Sequence, residues 1–169
     1  ARPHLDSLSA KIGLTVHLAQ LDNGQVLYVD KRNAAQPVEM YSQAGKVGPA
    51  YCTGVGKAML AFLPELEQCR VLTQQSYHRF TADTLADPAS LRAELVNIVT
   101  RGHAYDRQEH EPGIICVAVP VLTGRNKLLG GLSITGSTQT TNYQKLDALV
   151  PDLKAAAHAI GQQAEAWRF

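Results

Sequence analysis

Little in this sequence leans toward an extreme. Sixteen basic residues meet 15 acidic ones, a formal net charge of +1, and neither sign gathers into a stripe or a tail. That balance argues against nucleic-acid binding by this segment itself. Cysteine is scarce: Cys52, Cys69 and Cys116 are widely spaced and form no CxxC pair. An odd, scattered set argues against a disulfide framework or a zinc finger and suits a reducing cytoplasm, where we expect the protein to reside. No apolar run reaches membrane-spanning length, and nothing at the N-terminus reads as a signal peptide. Repeats and low-complexity tracts are missing. So are HExxH and GxSxG, the signatures of zinc proteases and of nucleophile-elbow hydrolases. What is present is 169 residues, 45% hydrophobic, enough for one domain with a substantial core. The chain opens at Ala1-Arg2-Pro3-His4 without an initiator Met, so we expect a piece of something longer.

Hydrophobic spacing and punctuation set the expected elements. Residues 5–12 form a helix with Leu5, Leu8 and Ile12 on one face, stopped by Gly13. Residues 14–21 alternate as a strand, with Leu14, Val16 and Leu18 on one side. Asp22-Asn23-Gly24 is a hairpin turn, residues 25–31 return, and residues 38–42 form a third strand. A glycine-rich loop then enters an apolar helix over 58–63, and Pro64 opens another through Leu66 and Val71. Asp87 caps a helix that starts at Pro88, buries Leu91, Leu95, Ile98 and Val99, and ends at Arg101-Gly102. A short strand near Ala104-Tyr105 precedes a strand over 114–121 that is apolar on both faces, hence covered on both. Gly124-Arg125-Asn126 turns the chain into a partner strand over 128–135. The last helix starts near Asn142 and uses Leu146, Leu149, Val150, Leu153, Ala157 and Ile160, with Pro151 predicting a kink or a split. Helices interleaved with hairpin-linked strands make an α+β domain on an antiparallel sheet.

The richest stretch is Gly45-Lys46-Val47-Gly48-Pro49-Ala50-Tyr51-Cys52-Thr53-Gly54-Val55-Gly56-Lys57-Ala58. A glycine-punctuated loop running into a helix leaves backbone N–H groups free beside the positive end of the helix dipole, a setting for a small anion. It is not a nucleotide-triphosphate loop, because Tyr51 and Ala58 stand where Gly and Ser/Thr are needed. Gly54-Val55-Gly56 also lacks the third glycine and the βαβ setting of a dinucleotide fingerprint. Strand period places Leu128, Gly130, Leu132 and Ile134 on a core face. Leu129, Gly131, Ser133 and Thr135 fall on the other, where a small, hydroxylated wall suits a polar ligand as readily as partial solvation. Cys116 shares a face with Ile114 and Ala118, where a buried thiol is usually filler. Residues 101–113 are dense in polar groups. Asp106, Glu109, His110 and Glu111 have side chains for acid–base work or metal ligation, but a solvated loop is the commoner meaning and no spacing supports a zinc site. Asp106 stands out as the end of a short strand aimed at the sheet. A Cys116–His110 nucleophile–base couple has no supporting signature.

Together these blocks resemble a known family. Gly48-Pro49 followed by Thr53-Gly54-Val55-Gly56-Lys57-Ala58-Met59-Leu60-Ala61 is similar to the signature of the IclR-type bacterial transcriptional regulators. So are Arg101-Gly102-His103-Ala104-Tyr105-Asp106, Glu109, Pro112-Gly113, Cys116-Val117-Ala118-Val119-Pro120-Val121, and Leu132-Ser133-Ile134-Thr135-Gly136, with Leu149-Val150-Pro151 and Ala155-Ala156 behind them. The resemblance spans nearly the whole chain. It implies a C-terminal effector-binding domain over residues 1–169, of GAF-like or profilin-like fold, with about six antiparallel strands and helices on both faces. It implies an N-terminal winged helix-turn-helix outside this chain, through which DNA is bound, and assembly into dimers or tetramers. Effectors in the family are mostly small carboxylic, keto, sugar and aromatic acids, and the genes controlled serve carbon-source catabolism, so the full-length protein reads as a repressor of a catabolic operon.

Carried over by residue, the resemblance implies an anion held on the N–H groups of Gly54 and Val55, with Asp106, Cys116, Ser133 and Thr135 pointing in from the sheet. Met40, Tyr51, Cys52, Thr53, Met59 and Leu60 are the expected pocket lining. Tyr51 stands where many members carry His, Cys52 where Ala is common, and Thr135 where Ser is frequent, so a relative's ligand does not transfer. No catalytic group, metal, cofactor or membrane contact is expected. Two other classes remain: a cysteine-dependent redox enzyme, which requires paired, ionisable thiols, and a dimerisation module whose pocket is filled by Tyr51 and Met59.

Overall fold

Asn23 and Gly24 both hold positive φ, 51° and 77°. That is the backbone of a primed two-residue turn, whose twist matches the strands it joins. The hairpin it closes begins the sheet. The computed structural model describes residues 1–33 and 44–166. Within them, α1 (Arg2–Ile12) leads into β1 (Thr15–Asp22), β2 (Gln25–Arg32) and a two-residue β3 (Val47–Gly48). Three helices follow, α2 (Gly54–Leu60), α3 (Glu65–Gln74) and α4 (Pro88–Arg101). Then come β4 (Ala104–Arg107), β5 (Ile114–Leu122), β6 (Leu128–Ser137) and α5 (Tyr143–Ala166). Every neighbouring pair in the six-stranded sheet β3-β2-β1-β6-β5-β4 is antiparallel. The α+β class and the six-stranded sheet agree with the sequence expectation.

The sheet separates two cores. On one side α1 and α5 bury Leu5, Leu8, Leu146, Leu153 and Ile160 against Val117, Val119, Leu132 and Ile134. On the other, α2 to α4 bury Val55, Met59, Leu60, Leu72, Leu91, Leu95 and Ile98 over Ala19, Val26 and Ala118. β5 is therefore covered on both faces, as its unbroken apolar run requires.

Five local expectations change. Val99, expected in the buried stripe of α4, is exposed, and only Leu91, Leu95 and Ile98 face the core. The apolar helix starts at Gly54 rather than Ala58, because Thr53 caps it: its Oγ1 accepts the Gly56 N–H at 3.2 Å. Pro64 is a cap residue and not the first helical one. Pro151 lies inside one helix of 24 residues and does not split it. Leu146, Val150, Leu153, Ala157 and Ile160 pin α5 to the sheet on either side of the proline, so packing outweighs the one lost hydrogen bond. Finally, Val121 pairs with Gly130 but Leu122 pairs with Leu128, a bulge that leaves Leu129 unpaired. The extra residue reverses the facing of the strand's start: Leu128 packs on the α2 side and Leu129 on the α5 side, opposite to the period-2 expectation. The third strand expected over 38–42 lies outside the described residues.

Gly161 is where α5 touches the sheet backbone. A Cβ there would stand 2.1 Å from the Leu122 carbonyl oxygen. Alanine gains about 1 kcal/mol of helix propensity over glycine, but a clash with main chain has no rotamer to relieve it. Gly161→Ala is expected to lower stability by about 1–3 kcal/mol. A urea midpoint at or above that of the parent rules out this contact as a packing constraint.

Candidate functional site

The first turn of α2 lies over four strands of the sheet. Asp106 pairs with Cys116, Cys116 with Thr135, and Ser133 with His17 in the strand registers. One face of β4, β5, β6 and β1 thus presents a carboxyl, a thiol, two hydroxyls and an imidazole in a row. Tyr28 of β2 continues it, its ring 5.4 Å from that of His17. Between this row and α2 is a cavity of about 40 Å³, closed further by Thr53, Gly54, Val55, His110, Glu111 and Ile114. Gly54 permits the close approach: a Cβ there would meet Cys116 Sγ at 2.3 Å and the Asp106 nitrogen at 3.3 Å. Gly131 has a different purpose from the room for ligand expected of it. Its missing Cβ would stand 2.6 Å from Val55 and 3.0 Å from Met59, so it seats the helix.

Neutral hydrogen-bonding groups dominate the lining. Burial, helped by the charge of Lys31, drops His17 to about 3, so its imidazole is uncharged at neutral pH. Burial pushes the Tyr28 phenol and the Cys116 thiol well above their ordinary ranges, with Asp106 adding to both. Ser133 Oγ and Thr135 Oγ1 lie 3.5 and 3.4 Å from His17 Nδ1, long contacts that leave both hydroxyls responsive to a ligand. The Gly56 and Lys57 amides bond to Thr53, whereas the amides of Gly54 and Val55 have no protein acceptor among the described residues. Asp106 is 6% exposed. Burial raises its carboxyl to about 7, the Glu109 N–H bond at 2.9 Å opposing and the Glu109 charge adding.

Behind the cavity is an ion pair. Lys57 Nζ, on α2, donates to Glu109 Oε1 at 2.9 Å and Oε2 at 2.6 Å, with both side chains almost fully buried. Glu109 Oε2 also accepts the Arg107 N–H at 3.1 Å, and the Glu109 carbonyl accepts the Thr84 hydroxyl at 2.6 Å. Glu109 therefore serves as a buried counter-ion, not as part of a solvated loop.

The expected ligand-binding set, Gly54, Val55, Asp106, Cys116, Ser133 and Thr135, is brought together around the cavity, with Thr53 at its edge. Tyr51, Cys52, Met59 and Leu60 do not line it. All four are 0–1% exposed in the core beneath α2. Tyr51 donates its hydroxyl to the His78 carbonyl at 2.6 Å and packs on Tyr77. The reason is helical geometry: Gly54 and Val55 in the first turn of α2 border the cavity, while Met59, a turn later, packs over Gly131 and Leu60 is buried in the core. Met40 lies outside the described residues. Lining residues not anticipated from the sequence are His17 and Tyr28. His17 lies on the strand face opposite Leu14, Val16 and Leu18, Tyr28 shares a face with Val26, and nothing in the alternation shows that helix α2 covers them. His110 and Glu111, read as loop residues, also reach the cavity. Among the described residues no group of three His, Cys, Asp or Glu side chains is placed to hold a metal ion. All three cysteines are free, and burial raises the thiols of Cys52 and Cys116 out of thiolate range.

Comparison with known proteins follows the same lines. The family described as "Bacterial transcriptional regulator IclR C-terminal" matches residues 1–162. The HTH-type transcriptional regulator BhcR of Paracoccus denitrificans is 32% identical over 160 residues, which are 95% of this chain and 57% of that protein. The chain thus spans little more than half the length of that relative. Among solved structures, the IclR of Thermotoga maritima superposes with a TM-score of 0.90 at 34% identity, covering 95% of this chain and 65% of that one. The inducer-binding domain of PobR from Acinetobacter, a double mutant in complex with 3-hydroxybenzoic acid, gives a TM-score of 0.85 at 26% identity and 96% coverage of both chains.

Two measurements probe the polar interior. Lys57→Met leaves Glu109 buried without its cation and is expected to cost about 3–5 kcal/mol in urea unfolding, most of it recovered in the double variant Lys57→Met/Glu109→Leu. A double variant no better than the single one refutes this account. The second concerns pH. The contribution of Asp106 is full below its ordinary 3.8 and is lost as pH rises to about 7. That of His17 is full above its ordinary 6.5 and is lost as pH falls toward about 3. The two slopes oppose each other. Asp106→Asn removes only the first, so the stability difference, variant minus parent, should climb from pH 3.8 to about 7. Parallel pH profiles would show that Asp106 does not hold its proton.

Proposed function

The chain belongs to the IclR family of bacterial transcriptional regulators, as their C-terminal domain, and we propose that its cavity senses a small carboxylic, keto or sugar acid. The observation that carries this reading is a small, partly open space lined mostly by neutral hydrogen-bonding groups that converge from α2 and the strands beneath it. An anion in such a place takes charge-assisted hydrogen bonds that strengthen as water leaves. In this reading the acid end meets the amides of Gly54 and Val55, and the hydroxyls of Ser133 and Thr135 meet its keto or hydroxyl oxygens. A space of about 40 Å³ admits an acid of few atoms, and a larger one requires lining side chains to move.

Binding is read out through linkage. An acid that prefers one arrangement of the oligomer shifts DNA affinity by its differential affinity for the two arrangements. On this proposal residues 1–169 are the sensing and self-associating unit of a cytoplasmic repressor of a catabolic operon, and DNA is bound by an N-terminal winged helix outside this chain. Tyr51 and Met59, which would fill a vestigial pocket, lie elsewhere, and the relatives are regulators and not enzymes. Both facts favour sensing over the alternatives.

Titration calorimetry against two- to six-carbon keto, hydroxy and sugar acids, with aromatic acids included, provides the test. At least one acid should bind saturably. Ser133→Ala with Thr135→Val should weaken it about tenfold or more, the loss expected for hydrogen bonds to a charged group. Gly54→Ala, which drives a methyl against Cys116, should abolish it. Silence across the whole panel, or affinity indifferent to these changes, defeats the proposal.

A further inference from the structure

Resting on that reading, we propose that the acid enters with one extra proton, which settles on Asp106 and turns its carboxyl into a hydrogen-bond donor to the ligand. The basis is a count of charges around an enclosed group. Asp106 lines the cavity from β4 and is 6% exposed. One of its oxygens is occupied by the Glu109 N–H. The cation acting on it is Lys57 of α2, and both close contacts of that ammonium go to Glu109. Glu109 and Glu111, from the loop after β4, add negative charge.

Lys31 of β2 acts on both His17 and Glu111 and so offsets Glu111, as Lys57 offsets Glu109, and the other groups around Asp106 add no positive charge. His17 of β1 is neutral, as is His110, whose pKa burial also lowers. Tyr28 of β2, Cys52 before α2, Cys116 of β5 and Tyr143 of α5 all have raised pKa values and stay protonated. Net charge in the empty site with Asp106 ionised is therefore negative. A second carboxylate brought into about 40 Å³ beside it faces like-charge repulsion with little water to screen it. One proton from solvent removes the conflict: Asp106 becomes the neutral acid, and its O–H donates to the ligand carboxylate or keto oxygen. No other bond is made or broken. An ionised Asp106 would instead select a hydroxyl or ammonium end, so the proton also decides which ligand chemistry fits.

The experiment is calorimetry of this chain with glyoxylate, pyruvate and the other panel acids at about pH 6, 7 and 8, each in two buffers of different ionisation enthalpy. About one proton should be taken up per ligand at pH 8 and almost none at pH 6, with Kd weakening about tenfold per unit above pH 7. In Asp106→Asn the uptake should vanish and Kd should no longer vary with pH. Binding without proton uptake by the parent at pH 8, or uptake unchanged in the variant, overturns this inference and leaves the sensing proposal standing. Silence from every acid even at pH 6 overturns both. If Asp106→Asn fails to fold, the proton count of the parent alone decides.

Discussion

The ion pair of Lys57 and Glu109 fixes the geometry on which the rest of the domain relies. Burying two charges costs several kcal/mol each, and mutual attraction offsets that only when the geometry is good and the remaining lone pairs are bonded. Here the ammonium meets both carboxylate oxygens and the Arg107 amide takes a further lone pair. The pair spans two elements distant in sequence, α2 and the loop after β4. Sliding α2 along the sheet by even part of a turn would strand both charges. The same residue that neutralises Lys57 also holds Asp106 through its main-chain N–H and is held in turn by the Thr84 hydroxyl. Helix position, loop conformation and the acid lining the cavity are therefore one mechanical unit.

Close approach of backbones supplies the second constraint. Gly54 and Gly131 let α2 descend onto β4, β5 and β6, while Gly161 lets α5 rest on β5 from the opposite side. Methyl groups at these places would hold each helix off the sheet and enlarge or collapse the space beneath α2. The cavity is narrow because the helix is low.

The sequence made the architecture legible where pattern and chemistry agreed. Asn23-Gly24, Asp87-Pro88 and the double-sided apolar run of β5 each carry one meaning, and the structure follows them. Strand period put Ser133 and Thr135 on one face of β6, while the grouping of Gly54, Asp106 and Cys116 with them was implied by the resemblance to the IclR family. Failures share a cause. Leu128 and Leu129 exchanged sides because a bulge, invisible in alternation, inserts one residue. His17 and Tyr28 were passed over because covering of a strand face depends on a helix far along the chain. Pro151 does not split α5 because packing on both sides of it holds the helix to the sheet, which local propensity ignores. Lys57 is buried because Glu109, more than fifty residues away, meets it there, a pairing that no local pattern displays.

Pairing of β1 with β6 brings His17 beside Ser133 across 116 residues of chain. The hairpins β1–β2 and β5–β6 close short loops and are cheap to nucleate, whereas joining them requires closing nearly the full length of the domain. A nascent chain leaving the ribosome therefore carries half a sheet and no cavity until its final strand emerges. Whatever this domain recognises, recognition begins only after synthesis of the sheet is complete.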